Sequence, residues 1–449
     1  MSDLQGTADV PMSDLQERLA GRNATVGVIG LGYVGLPLSL AFTEAGYDVA
    51  GFDIDADRVA RLHQGDSYVD DVDDAALETA LANGFTPGAT PDVVARCDAY
   101  VIAVPTGIAD GEPTMGAVEA AARTVTEQAG IKETLVVVSS TVYPGATSGL
   151  VAPIVAADRP PGRTRLAMVP ERLNPGGEHA LHDIPLVIGA DDDIDRAAAR
   201  TLFDAIVNAT VPVGSTETAE LTKTLENTYR MVNIALVNQL VALAERLDAD
   251  VWEAIEAAGT KPFGFQAFEP GPGVGGHCIP IDPQFLTWRA EQVGTQLPFI
   301  EHAHRVNESM PDRVVDGVTD ALRARGVDPA DATILIFGAA YKPNVADPRN
   351  APAIAVFESL RSTADVTLVD PHVDPLEAGA PIVADVSEER LATADAAVLL
   401  VEHDAFDLDR IGRHARFVFD ARNAMPDDAS ATVVTLGETA HGRAVPPIE

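Results

Sequence analysis

Three groups of residues carry chemistry in their types and spacing. The stretch GPGVGGHCIPIDP, from Gly271 to Pro283, holds one of only two cysteines in the 449-residue chain, set among glycines with Asp282 four residues on. A structural cysteine ordinarily sits in an apolar run and packs as a small hydrophobe. Cys278 does not, and its setting suits a working thiol, which needs neighbouring positive charge or a dipole to become a thiolate. Lys223 and Asn227 lie four apart in a run of helical periodicity, so they share one face and can point together at a developing alkoxide. On spacing alone, Lys223 reads first as a solvated helix position. The third group is ATVGVIGLGYVGLPLSLAFTEAGYDVAGFDID, with Gly30, Gly32 and Gly35 in GxGxxG spacing and Asp53 at its far end.

That third stretch has the context that makes a glycine fingerprint informative. An apolar strand from Thr25 to Ile29 precedes it, a helix follows to about Ala45, and a second strand ends at Asp53. The glycines permit a tight turn and close backbone approach, the helix N-terminus faces a pyrophosphate, and Asp53 can accept from both ribose hydroxyls. The acid favours NAD over NADP. Arg58, read as five residues into the next helix, flanks the adenosine rather than a 2′-phosphate.

The elements that must position these residues follow from periodicity. The runs AYVIAVPT, TLVVVSST and TRLAMVP alternate with helical segments, which predicts a doubly wound sheet continuing to about residue 210. Thr216 to Leu247 keeps helical spacing without Pro or Gly; about 30 residues at 1.5 Å each span about 45 Å, suited to linking two lobes or forming a dimer seam. A second α/β unit opens with ATILIFGAAYKP and continues through DVTLVDP, AAVLLVEH and RFVFDARN. It lacks the full glycine fingerprint, which points to a different nucleotide-like group. The fold expected is α/β: two Rossmann-like doubly wound domains joined by a central helical domain. The boundaries are a polar N-terminal extension at 1–23, a nucleotide domain at 24–212, the helical domain at 213–325 and the second Rossmann-like domain at 326–449.

Composition narrows the function classes. The formal net charge is −37, and of 31 basic residues only Lys132, Lys223, Lys261 and Lys342 are lysine. Dispersed surface acid with arginine in place of lysine fits a salt-rich cytoplasm, where screening relieves self-repulsion. Nucleic acid is excluded as a partner on charge. No run reaches the roughly 18 apolar residues of a membrane span, and the first residues lack a secretory core; a cytoplasmic protein with reduced cysteines is expected. The two cysteines and scattered histidines give no metal-ligand spacing.

The ordered motifs GVIGLGYVGLPL, AVPT, SSTVYPG, VPERLNPGG, AELTKTLENTYRMVN, KPFGF, GPGVGGHCIPIDP, GAAYKPNVADPRNAPA, VDPHVD and VFDARN resemble the UDP-glucose/GDP-mannose dehydrogenase family from residue 24 onward. The resemblance implies an NAD-dependent enzyme that oxidises C6 of a nucleotide sugar to a carboxylate in two hydride transfers through a cysteine-bound intermediate. It implies NAD, helical dimer and UDP domains, and a homodimer through the central helices. Cys278 matches the nucleophile and Asp282 its partner acid. Lys223 would assist deprotonation or stabilise an oxyanion, and Asn227 would position the water or sugar oxygen. Gly30, Gly32, Tyr33, Val34, Gly35, Asp53, Arg58, Thr106, Thr141 and Arg349 fall at cofactor positions. Glu171, Arg172, Lys261, Gly275 and Lys342 fall at substrate positions, Glu171 also at a catalytic one. His277, beside the thiol, reads as loop-shaping because adjacent residues rarely face one another.

One departure bears on the substrate. UDP-glucose members carry a second glutamate four residues after the first, where this chain has Pro175. PER followed by NPG, with KPFGF and GGHCIPIDP, resembles the branch acting on UDP-N-acetylhexosamines, UDP-N-acetylglucosamine or UDP-N-acetylmannosamine. UDP-glucose and GDP-mannose follow as alternatives, ahead of a single-hydride hydroxyacid dehydrogenase or a nucleotide-sugar sensor.

Overall fold

The computed structural model describes residues 12–69, 71–157, 159–173, 177 and 179–438. The chain divides into two compact units. The first runs to Leu225 and adds Trp288–Val293; the second comprises Glu226–Thr287 and Gly294 onward.

The strands of the first unit are β1 (Thr25–Ile29), β2 (Asp48–Phe52), β3 (Phe85–Gly88), β4 (Ala99–Ile102), β5 (Gly107–Ala109), β6 (Glu112–Thr114), β7 (Thr134–Val138), β8 (Thr164–Met168), β9 (Leu186–Gly189) and β10 (Thr210–Val213). Eight form one sheet in the order β10-β9-β8-β7-β4-β1-β2-β3, with β5 and β6 a separate antiparallel ribbon. Strands β4 and β7 are buried along their whole length on both faces, as a parallel sheet covered by helices requires. From β3 to β8 the order is that of a dinucleotide-binding sheet, whose switch point lies between β1 and β4.

Two details differ from the sequence reading. β9 pairs antiparallel with β8, and β10 follows β9 in parallel. Between β8 and β9 the described residues hold only the short turn Leu181–Asp183, and without a crossover helix the next strand enters from the opposite end. Residues read as a polar extension also contribute to the core. The helix Asp14–Ala20 starts with a Ser13/Gln16 capping box, and its Leu15 and Leu19 are completely buried in the cluster that holds β1.

The second unit holds β11 (Thr333–Phe337), β12 (Asp365–Val369), β13 (Ile382–Val383), β14 (Ala396–Leu399), β15 (Phe417–Asp420) and β16 (Thr432–Thr435). They form an all-parallel sheet in the order β13-β12-β11-β14-β15-β16, the same topology again. The repeat reaches the hydrogen bonds: Thr25 N–H donates to Asp98 Oδ2 at 3.0 Å, and Thr333 N–H to Asp395 Oδ2 at 2.9 Å. The acids at the two ribose positions differ. Asp53 accepts backbone N–H groups from Leu31 and Asp55. Asp370 accepts four, from Ala339, Ala340, His372 and Val373, and also meets His403 Nε2. A carboxylate so occupied serves its own turn.

Helix Thr216–Leu247 is 32 residues long; its first ten belong to the first unit and the rest to the second. In the second unit the buried amides of Asn238 and Asn307 bond to each other at 3.0 Å, Asn307 donates on to Met231 O, and Asn238 Oδ1 accepts the N–H of Gly271. The opening of the cysteine loop is thereby fixed to the long helix.

Candidate active site

Each fingerprint glycine has a separate physical reason. Gly30 has φ +91°, and a Cβ there would lie 2.5 Å from the Ala103 carbonyl oxygen. At Gly35 a Cβ would meet the Gly30 carbonyl oxygen at 1.8 Å, so only glycine lets the helix Gly35–Glu44 pack against the turn. At Gly32 a Cβ would meet nothing within 4 Å, which is the open backbone approach a pyrophosphate uses. Tyr33 is half-exposed, and Val34 at the N-cap brings no side-chain oxygen to compete for the first helical N–H groups. Buried Asp53 keeps lone pairs on both oxygens beyond its two backbone bonds of 2.8 and 2.9 Å. These features fit a dinucleotide with free ribose hydroxyls.

Arg58 is the third residue of the helix Ala56–His63, not the fifth. Its Nη1 lies 3.9 Å from Asp53 Oδ2 and its guanidinium stands 5.5 Å from the Tyr68 ring centroid; Tyr68 Oη in turn donates to Leu31 O at 2.6 Å. Thr106 and Thr141, in the loops after β4 and β7, come together through Thr106 Oγ1 donating to Thr141 O at 2.6 Å.

In the same unit Lys223 is buried, with Nζ 3.6 Å from Glu171 Oε2. Burying an ammonium is costly unless it is paired, so this pair argues against a solvated helix position. Arg172 donates to the Pro185 carbonyl oxygen at 2.5 Å. Pro175 lies outside the described residues.

The sequence reading missed Glu220, one turn before Lys223. It is 1% exposed, and its two oxygens accept the N–H groups of Gly145 at 2.5 Å and Thr147 at 2.7 Å. Burial pushes its pKa up to about 7, against the opposing pull of these hydrogen bonds. Glu220 thus braces the turn after Thr141. Tyr143 of that turn packs on Trp288 with ring centroids 4.7 Å apart. The only local hint was an acid facing the same way as Lys223.

In the second unit Cys278 is exposed. Its carbonyl oxygen accepts the N–H groups of Ile281 at 3.1 Å and Asp282 at 2.9 Å, which makes it the turn into the helix Asp282–Gln292. The thiol thus stands about one turn ahead of that helix. Asp282 and Asn227 are both buried, and Asn227 Nδ2 donates to Asp282 Oδ2 at 2.5 Å. Arg230 donates to Asn227 Oδ1. Asn227 was expected to hold a water or sugar oxygen; its amide oxygen is engaged by Arg230 and one amide hydrogen by Asp282, so it first orients the acid. Arg230 was missed, although it stands three residues along the same helix.

The glycines before the thiol serve loop packing. A Cβ at Gly275 would meet Asn350 O and Tyr341 Cβ at 2.8 Å, and Gly276, at φ +81°, lies against the Tyr341 ring. The close approach expected for substrate at Gly275 is made by the 341–352 segment. His277 has its pKa lowered by burial and by the charge of Arg349, so it is neutral near pH 7. Arg349, expected at cofactor phosphates, forms a two-pronged pair with Asp347, including Nε to Oδ1 at 2.9 Å. Lys342 Nζ lies 5.6 Å from the Tyr341 ring centroid, and exposed Lys261 stands 4.8 Å from that of Phe263. Among the described residues, no group of three or more His, Cys, Asp or Glu side chains is placed to hold a metal.

Sheet order, fingerprint and buried Lys223 fit a dinucleotide-dependent enzyme. Models of the UDP-glucose/GDP-mannose dehydrogenase family match three segments: its NAD binding domain at residues 24–207, its central domain at 217–309 and its UDP binding domain at 335–427. A UDP-N-acetyl-D-mannosamine dehydrogenase of Escherichia coli is 35% identical over 89% of this chain and 98% of its own length. An NDP-N-acetyl-D-galactosaminuronic acid dehydrogenase of Ralstonia nicotianae is 34% identical over 89% of this chain and 95% of its own. The solved UDP-D-ManNAc dehydrogenase of Pyrococcus horikoshii superposes with a TM-score of 0.83 at 30% identity, covering 92% of this chain and 99% of that one. The chain belongs to the UDP-glucose/GDP-mannose dehydrogenase family; it is an NAD-dependent nucleotide-sugar dehydrogenase.

Proposed function

We propose that the enzyme oxidises C6 of a UDP-N-acetylhexosamine, UDP-N-acetylmannosamine before UDP-N-acetylglucosamine, to the uronate through a covalent bond to Cys278. The observation that carries the chemistry is an exposed thiol in the turn that leads into the helix Asp282–Gln292, with Asp282 buried and oriented by Asn227. The substrate rests on likeness to relatives named for N-acetylated sugars.

Bound NAD supplies the hydride acceptor, once for each oxidation. The C6 hydroxyl gives its proton to solvent water as the hydride leaves, and Lys223 stabilises the alkoxide charge that develops. The Cys278 thiolate then adds to the aldehyde carbon; a C–S bond forms and the carbonyl electrons move to oxygen, where an ammonium stabilises them. Loss of a second hydride leaves a thioester. Water adds to its carbonyl, the C–S bond breaks, and the carboxylate and thiolate separate. Glu171, beside Lys223, takes one proton from the attacking water in this last step and the second passes to solvent, while Asp282 is the buried acid beside the thiol loop. Arg172, Lys261 and Lys342 contribute the sugar and UDP contacts, and Thr106 and Thr141 flank NAD.

The domain bounds proposed are 24–212, 213–325 and 326–449. A cytoplasmic, salt-adapted homodimer is the working form. Its seam is the long helix, where Leu236, Leu240, Leu243 and Leu247 stand 39–59% exposed at three- and four-residue spacing, an apolar stripe that water does not favour.

The deciding experiment counts NADH per sugar in molar salt, with product mass. Wild type gives two NADH and a carboxylate from UDP-N-acetylmannosamine, about tenfold faster than from UDP-glucose. Cys278→Ala stops uronate formation while retaining NAD and UDP-sugar binding. Uronate made by Cys278→Ala near the wild-type rate would overturn the covalent route, and equal or faster turnover of UDP-glucose the substrate.

A further inference from the structure

The segment from Tyr341 to Asn350 grips the cysteine loop at one residue. Gly276 N–H donates to Arg349 O at 3.0 Å, and Asn350 Nδ2 donates to Gly276 O at 3.0 Å, so both backbone polar groups of Gly276 are held by two consecutive residues. Asn350 has φ +51°, a left-handed conformation that asparagine tolerates better than branched or bulky residues. Residue type is thus used twice, once for the turn and once for the amide donor. The Tyr341 ring covers the same glycine.

The gripping segment is itself held from behind. Asn344 N–H donates to His403 Nδ1 at 2.9 Å, which leaves the ring proton on Nε2 to face Asp370 Oδ2 at 3.0 Å. Burial raises the Asp370 carboxyl, but the His403 bond and backbone N–H groups outweigh it and hold the pKa at about 2. Asn344 and Asp404 also exchange bonds of 2.9 Å in both directions. A rigid sheet end therefore fixes a loop that carries Lys342 near one end and grips Gly276 at the other.

We infer that Asn350 is a positioning residue for Cys278, setting the thiol through Gly276 and linking it to the loop that bears Lys342. The inference rests on Cys278 being the nucleophile. The loop cannot shift at Gly276, two residues from the thiol, without breaking one of those bonds, and misplacement of a reacting group by about 1 Å costs up to about a hundredfold in rate.

Asn350→Gly tests this, because glycine keeps the left-handed backbone and removes only the amide. The full-length enzyme is assayed with UDP-N-acetylmannosamine, alongside UDP affinity and the rate of Cys278 alkylation by iodoacetamide, located by peptide mass. The expected result is kcat lower by about tenfold or more, KM and UDP affinity within about twofold, and an altered alkylation rate. Asn350→Asp, of the same size but unable to donate when ionised, gives the same split and serves if the glycine variant does not fold. Wild-type kcat in either folded variant, or a loss confined to KM and UDP affinity, overturns the inference. If Cys278→Ala itself makes uronate, the nucleophile reading fails instead, and the two failures are told apart.

Discussion

Replacing Glu220 by glutamine gives a stability change whose sign and size follow from the site. The carboxyl is 1% exposed, and burial raises its pKa from 4.5 to about 7. The folded protein therefore holds this proton more tightly than the unfolded chain. The associated stability is complete below pH 4.5 and is lost as pH rises through about 7. Moving this carboxyl from 4.5 to about 7 corresponds to about 3 kcal/mol. The glutamine amide of the variant does not titrate, so its profile lacks that fall. It carries a roughly constant penalty of about 1–3 kcal/mol, because one amide end faces a backbone N–H it cannot accept. The assay is thermal unfolding of the full-length protein at fixed high salt from pH 4.5 to 8, following the transition of the first unit. The advantage of wild type over the variant shrinks by about 3 kcal/mol, or roughly 6–12 °C in Tm, toward pH 8. Parallel profiles would refute the reasoning.

Asp53→Ala should weaken NAD and narrow its advantage over NADP, since the carboxylate that repels a 2′-phosphate is gone; comparable kcat/KM for the two cofactors in wild type would count against Asp53 as the selector. Lys223→Ala should lower kcat by about 10²–10³ with little change in UDP-sugar affinity, and a change confined to KM would assign Lys223 to binding alone. The homodimer proposed through the long helix predicts that Leu236→Glu with Leu243→Glu halves the mass seen for wild type in light scattering; an unchanged mass would count against that seam.

Both sheets, the long helix and the fingerprint were legible because they rest on local pattern. Buried parallel strands read as apolar runs, and the helix Thr216–Leu247 lies where periodicity without Pro or Gly placed it. The exposure of Cys278 was legible because a thiol among glycines has no packing role. Less visible were the partners. Arg349 turned to Asp347 and Asn227 to Arg230 and Asp282, because short-range ion pairs and amide bonds depend on rotamers that spacing does not encode.

The sequence by itself determined the chemical inventory: a dinucleotide turn, a lysine, a thiol and an acid, each specified by residues within a few positions of one another. Only the tertiary structure decided what holds them. Glu220 reaches the Gly145 turn across 75 residues, Asn350 reaches Gly276 across 74, and Asn227 reaches Asp282 across 55. The reversal of β9 belongs to the same class. Backbone N–H and carbonyl groups are alike at every residue, so their pairing leaves no local mark in the sequence and is settled when the chain closes on itself and each buried group must find a partner.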